Sequence, residues 1–259
     1  MKSGVNGLIN DQIIKIFEQI DEINLSVEQE QIIRKDRKSF ISENLLCKIG
    51  YYIESKPSNI SKGGDGLYIR GNALPGDVIS MYPGLVHLPE YTQKAGYLES
   101  LLPDDDLFLM SRMDGTLIDA RTSFTPSHSP SLSSSNPYAM AHLINHPPVS
   151  CEPNVLQIAY DFPGDPLEIE QFPPDLQYLI PNQYAKPPTL LGTIDRSACM
   201  RGLVTIAVEP LSDGQELYMD YRLNPMAPVP DWYAHVNKEQ ASRRWDPQSF
   251  NKNVEKLLN

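Results

Sequence analysis

The sequence predicts an α+β chain, on three observations. Apolar residues recur at helical spacing over the first sixty positions. From Gly66 the spacing changes to two. Runs dense in Pro and Ser then separate short strand-like pieces, with too few alternating helices for a doubly wound sheet.

The N-terminal region, 1–60, reads as a helical pair. In "NDQIIKIFEQIDEINL" Ile13, Ile14, Phe17, Ile20 and Ile23 fall on one face, with Asp11 as the expected N-cap. "SVEQEQIIRKDRKSFISENLLCKIGYYIE" opens with Ser26 and Gln29 at capping-box spacing. Val27, Ile33, Phe40, Ile41, Leu45, Leu46 and Ile49 then share a face of a long second helix. "SKPSNISKGGDG" breaks that pattern, as clustered Gly and Pro do. The core, 61–224, has strand-like runs at "GLYIRG", "DVISMYPG", "GTLIDA", "RGLVTIAVE" and "QELYMDYR", and a further apolar, strand-like run at "AMAHLI". Loop insertions are expected near 122–136 and 162–190, where "TSFTPSHSPSLSSSNP" and "FPGDPLEIEQFPPDLQYLIPNQYAKPP" interrupt it. The tail, 225–259, carries two Trp and a Tyr in a polar setting and is expected to dock through those aromatic anchors.

Composition narrows the function classes. The formal net charge is −11, and residues 63–224 alone carry a net −12, eight Lys/Arg against twenty Asp/Glu. Such a surface repels phosphate backbones and attracts Lys- and Arg-rich partners, so direct nucleic-acid binding is not expected. No window is long and apolar enough for a membrane helix, and the N-terminus lacks the features of a signal or transit peptide. An intracellular protein, in nucleus or cytoplasm, is the expectation. Cys47, Cys151 and Cys199 are too few and too scattered for a disulfide framework or a zinc site, and no metal ligands are expected.

Four stretches could carry chemistry, and each by itself also reads as an ordinary turn or strand end. In "KGGDGLYIRG", Gly63, Gly64 and Gly66 let the backbone turn sharply before a strand, without the spacing of a P-loop or a dinucleotide turn. "SMYPG" ends a strand at Tyr82. "INHPPVSCEPN" sets Asn145 and His146 between proline stops. "LSDGQELYMDY" turns at Asp213-Gly214 and ends at Tyr221.

In this order the stretches, with "DGTLIDA" between the second and third, resemble the SET-domain family of S-adenosylmethionine-dependent protein lysine methyltransferases. Within that family "NPYAMAHLIN" and "LQYLIPNQYA" are similar to the branch called SET domain-containing protein nine. The resemblance covers about residues 61–222. It implies a fold of small curved sheets around a knot-like crossing, in which the Asn145-His146 segment threads against the segment ending at Tyr221. It further implies that Tyr221 is the catalytic tyrosine, that Asn145 and His146 hold S-adenosyl-L-methionine, and that Gly64 and Gly66 give the cofactor room. Tyr82, Met219 and Trp232 would line the substrate channel, with Tyr233 helping to close it. The implied partner is a protein presenting a basic, lysine-containing segment. The chain departs from the family pattern in four places. Three extra residues precede Pro153-Asn154, His142 stands where many members carry Arg, Met219 replaces Phe or Tyr, and Thr116 replaces a channel aromatic. The altered crossing leaves a second class open, a catalytically silent SET-fold module that binds basic peptides. Cofactor affinity separates the two.

Overall fold

The computed structural model describes residues 2–29, 34–101, 108–121, 136–149, 151–163, 172–186 and 198–246. Most of the insertion near 122–136, Cys199's side chain, Ile33 and the last thirteen positions therefore lie outside the described residues or side chains.

Helix α1 (Lys2–Gln29) buries Ile9, Ile13, Ile16, Phe17, Ile20 and Ile23, one stripe at helical spacing as expected. It begins nine residues before Asp11, which therefore caps nothing. The stripe already includes Ile9, and tertiary burial of that face overrides the local start signal. Ser26 does not open the second helix either, because its hydroxyl donates back to the Glu22 carbonyl (2.9 Å) inside α1. Helix α2 (Arg34–Ile49) starts later and stops before Gly50. The "YYIE" expected to extend it instead begins strand β1 (Tyr51–Pro57), as suits aromatic and β-branched residues directly after a glycine.

Strand β1 pairs antiparallel with β2 (Asp65–Gly71), from Tyr51↔Gly71 to Pro57↔Asp65, so the glycine-rich turn joins the two. After β2 come β3 (Val78–Met81), β4 (Gly84–His87), short helices α3 (Pro89–Thr92) and α4 (Tyr97–Leu101), β5 (Leu109–Ser111) and β6 (Leu117–Asp119). Next are β7 (Val155–Pro163), β8 (Asn182–Tyr184), β9 (Ala198–Ala207) and helix α5 (Lys238–Trp245). One sheet has the order β3-β9-β7 and another β5-β6-β4-β8, with β4 and β8 parallel.

Two sequence expectations change here. "AMAHLI" holds a 3₁₀ turn at Ala141–Leu143 rather than a strand, and among the described residues the chain bridges only from Asn145, to Tyr218. The proline-rich stretch is partly built into the core. Leu176 and Leu179 of a 3₁₀ turn (Pro174–Leu179) are buried, and β8 follows at a sheet edge. Phe172 from this stretch meets Phe17 of α1 edge to face at 5.5 Å and Phe162 of β7 at 5.4 Å. Burying each such ring stabilises the fold by about 1.5–3 kcal/mol. Helix α1 thus packs into the same core as the sheets.

Candidate functional site

The segment after the Asp213-Gly214 turn was expected to be a strand. It is extended but forms only isolated bridges, Tyr68↔Glu216 antiparallel and Asn145↔Tyr218 parallel. Its partners change within a few residues, so no regular ladder can form. In an extended chain successive residues direct their backbone groups to opposite edges. On one edge Leu217 N–H donates to Leu67 (2.8 Å) and Met219 N–H donates to the Asn145 carbonyl (2.9 Å). On the other, the Tyr218 carbonyl accepts from the Asn154 and Val155 N–H groups, while Tyr218 N–H donates to Asn154 Oδ1 (2.8 Å). Asn154 Nδ2 closes the clasp on the Glu216 carbonyl at 2.9 Å. Residues 216–219 therefore run between Asn145 and Asn154, which is the crossing that the motifs imply.

The three extra residues do not disturb this clasp. They bulge outward: Val149 is 89% exposed, Cys151 N–H closes a turn on Pro148 (2.8 Å), and Asn154 returns buried.

The crossing fixes Tyr221. Its hydroxyl donates to the Ile144 carbonyl (3.0 Å), and burial raises its pKa to about 12, so it stays protonated at any working pH. Tyr82 is buried beside it, with its hydroxyl donating to the Phe108 carbonyl (2.9 Å), and burial likewise pushes its pKa up. The His142 ring lies edge-on to Tyr82 (6.4 Å) and Phe108 (6.2 Å), and burial lowers its pKa to about 4. A neutral imidazole thus stands where the family pattern leads one to expect an arginine.

His146 faces the tail. Its Nδ1 accepts from Tyr221 N–H (3.3 Å), so Nε2 carries the proton and donates to the Ala234 carbonyl at 2.7 Å. Tyr233 packs on the ring with centroids 4.3 Å apart. Burial lowers the His146 pKa, partly opposed by the Ala234 carbonyl and the nearby Asp220 carboxylate. Trp232 meets the Tyr221 ring edge to face at 6.1 Å yet remains 58% exposed, at the mouth of the site. Helix α5 holds the tail in place, Trp245 Nε1 donating to the Arg222 carbonyl (3.2 Å).

Asn145 Nδ2 donates to the Asp65 carbonyl at 3.1 Å, beside the glycine turn. Gly64 has a left-handed φ of +66° and open space where a side chain would stand, so a ligand can approach its backbone there. At Gly66 the room is already taken, since a Cβ would collide with the Glu216 carboxylate and crowd the Asn145 amide. Gly66 therefore accommodates the protein's own side chains. Thr116 also differs from expectation: its hydroxyl accepts from Arg201 (3.1 Å) within an ionic cluster that includes Asp114. Met219, Tyr221, Asn145 and His146 are brought together by the crossing, Tyr82 is held beside it by the Leu203 and Phe108 carbonyls, and Gly64 and Gly66 flank the Asp65 carbonyl that the Asn145 amide contacts.

The clasp by Asn154 and the carboxylate of Glu216 are structural features of the crossing that the motifs alone did not single out. Pro153-Asn154 was visible as a stop, but its grip on Tyr218 depends on a partner sixty-four residues away. Among the described residues no group of His, Cys, Asp and Glu could hold a metal ion, and no helix is long and apolar enough to cross a membrane.

A chain segment clasped between an Asn-His turn and a Pro-Asn turn, ending on a half-buried tyrosine beneath a glycine-rich turn, is the crossing of a SET fold. The chain is similar in sequence to members of the SET-domain family. It is 25% identical over 213 residues to SET domain-containing protein 9 of Homo sapiens, covering 72% of this chain and 64% of that protein. The Pongo abelii protein of the same name is likewise 25% identical over 213 residues, covering 72% of this chain and 70% of the relative. The chain thus spans about two thirds of the length of these curated relatives. No family model matches it. Among solved structures, "crystal structure of KRYPTONITE in complex with mCHH DNA, H3(1-15) peptide and SAH" overlaps 70% of this chain and 25% of that one, at 17% identity and a TM-score of 0.37.

Proposed function

We propose that the protein transfers a methyl group from S-adenosyl-L-methionine to a lysine side-chain amine of a protein substrate. The observation that carries this reading is the crossing itself, which sets the Tyr221 hydroxyl on the Ile144 carbonyl beside Tyr82. The open backbone at Gly64, next to Asn145 and the His146 turn, suits a small polar donor approached through amide groups. Gly64, Asn145 and His146 would hold it there, and when bound it supplies an electrophilic methyl group on a sulfonium.

The remaining work falls to the chain. Because the Tyr221 proton is directed at Ile144, the hydroxyl oxygen offers lone pairs to an incoming amine and orients it. The amine must be neutral to attack. Buried Tyr82 and Met219, with half-buried Tyr221, remove it from water, which disfavours the ammonium form, so no carboxylate base is required. Displacement at carbon is sensitive to alignment, and positioning supplies much of the rate. Trp232, half in water at the mouth, covers the stem of the substrate lysine. The acidic balance of residues 63–224 favours a basic segment as substrate.

The test is methyl transfer to Lys-containing basic peptides by the purified chain. Transfer to the lysine amine is expected. A folded protein that binds cofactor and peptides but transfers nothing would leave only the silent peptide-binding module.

A further inference from the structure

Glu216 takes no part in the chemistry above, yet its environment is unusually specific. It is 4% exposed, and its hydrogen-bond donors among the described residues are uncharged. Oε1 accepts from the Ser58 hydroxyl. Oε2 accepts from Asn59 N–H, the Tyr68 hydroxyl and the Tyr218 hydroxyl, each at 2.9 Å. A carboxylate taken out of water without a cation is tolerated only when donors saturate it in this way. Burial opposes its ionisation, but Ser58, Asn59, Tyr218 and Tyr68 outweigh burial and hold the carboxyl below its ordinary pKa. The group is a fixed anion.

What the anion holds is the glycine turn. Ser58 and Asn59 begin that turn. Ser58 N–H donates to the Gly64 carbonyl (2.9 Å), the Ser58 hydroxyl also accepts from Ile60 N–H (3.0 Å), and Gly63 N–H donates to the Ile60 carbonyl (2.9 Å). The far side of the turn passes directly over the carboxylate, since only the missing side chain of Gly66 lets Glu216 and Asn145 approach. Glu216 itself lies on the segment that leads to Tyr221, with its own carbonyl clasped by Asn154. One side chain therefore ties the turn to the crossing from both ends.

We infer that Glu216 is the positioning residue that sets the Ser58–Gly66 turn at the height over Asn145 needed to receive the cofactor. It acts through the turn and touches neither methyl donor nor amine. The inference rests on the methyltransferase reading. It predicts a defect in cofactor binding alone, which a role in general stability would not give. In Glu216→Gln the charge is lost and one acceptor oxygen becomes an NH₂ group, so the clamp on the turn is weakened. The cofactor KM and the dissociation constant for S-adenosylhomocysteine should rise about tenfold or more. Turnover at saturating cofactor and the peptide KM should stay near wild type. Ser58→Ala removes a single donor and should give a smaller rise of the same kind. It serves as the deciding variant if Glu216→Gln does not fold. Gly66→Ala pushes the carboxylate aside and should reproduce the Glu216→Gln defect, with the double variant no worse than either alone.

Unchanged cofactor affinity in folded Glu216→Gln, or in Ser58→Ala if that is the variant in hand, overturns the inference while wild-type binding leaves the function standing. A wild type that binds no cofactor overturns the function, and the inference with it.

Discussion

The crossing and the C-terminal tail meet on the same histidine but are held in different ways. The crossing is made largely of backbone groups: Met219 to Asn145, Asn154 and Val155 to Tyr218, and Leu217 to Leu67. The tail is held by side chains, with Tyr233 packed on His146, Trp232 against Tyr221 and one hydrogen bond from His146 to Ala234. Backbone pairing is largely indifferent to side-chain identity, which explains how the chain absorbs extra residues before Pro153 and keeps the clasp. Side-chain packing depends on which residues are present. On the proposed function, the crossing would place the chemistry and the tail would be where substrate preference can vary.

That contrast can be broken or sharpened by substitution. The largest effect is expected at Tyr221, whose hydroxyl the proposed function uses to orient the amine. Tyr221→Phe should lower turnover by about 10²–10³-fold, as loss of a positioned polar group typically does. Cofactor affinity should survive, because Phe keeps the ring against His146 and Trp232. Near-normal methyl transfer at saturating cofactor would remove Tyr221 from the mechanism.

Asn154→Ala comes next and tests the clasp directly. It strands the Tyr218 N–H and the Glu216 carbonyl, both served by that one amide. Urea denaturation should show a loss of about 2–4 kcal/mol. A loss below about 0.5 kcal/mol would mean that the crossing does not depend on it.

Acid should loosen the site at a similar or smaller scale. His142 and His146 have folded-state pKa values lowered by burial, to about 4 for His142. The unfolded chain therefore binds protons more readily than the folded one. Stability is complete above the ordinary histidine value of 6.5, falls as pH drops through the window down to about 4 for His142, and levels off below it. Over that window His142 contributes on the order of 3 kcal/mol. His142→Phe should flatten the profile, measured by urea denaturation at several pH values. A wild-type profile without this decline would contradict a neutral, buried His142.

The smallest effect belongs to the tail. Trp232→Ala should raise the peptide KM about three- to tenfold and leave the melting temperature within a degree or two, since the ring is 58% exposed. A large drop in melting temperature would place the tail in the structural core instead.

Much of this contrast was legible in the sequence, for physical reasons that differ by element. The buried face of α1 follows from its spacing, because a helix repeats faithfully enough to mark one side. The order of the motifs located both arms of the crossing and Tyr221. Helix starts at Asp11 and Ser26 were misleading, because a cap is a local preference worth about 1 kcal/mol that a long buried stripe overrides. β7 and β8 were missed: "VLQIAYDFP" and "NQY" become strands only by pairing with β9 and β4, contacts no local window contains. Glu216 was hidden for the same reason. Its donors Ser58, Asn59 and Tyr68 lie some 150 positions upstream, and a Glu following a turn looks solvated until that distant turn is folded onto it.

The most direct test of the account is calorimetric titration of the purified chain with S-adenosylmethionine, beside an Asn145→Ala variant that loses the amide contact to the glycine turn. The account predicts micromolar binding to the wild type and at least a tenfold loss in the variant. No binding to the folded wild type would contradict it and leave a SET-fold module that engages basic peptides without catalysis.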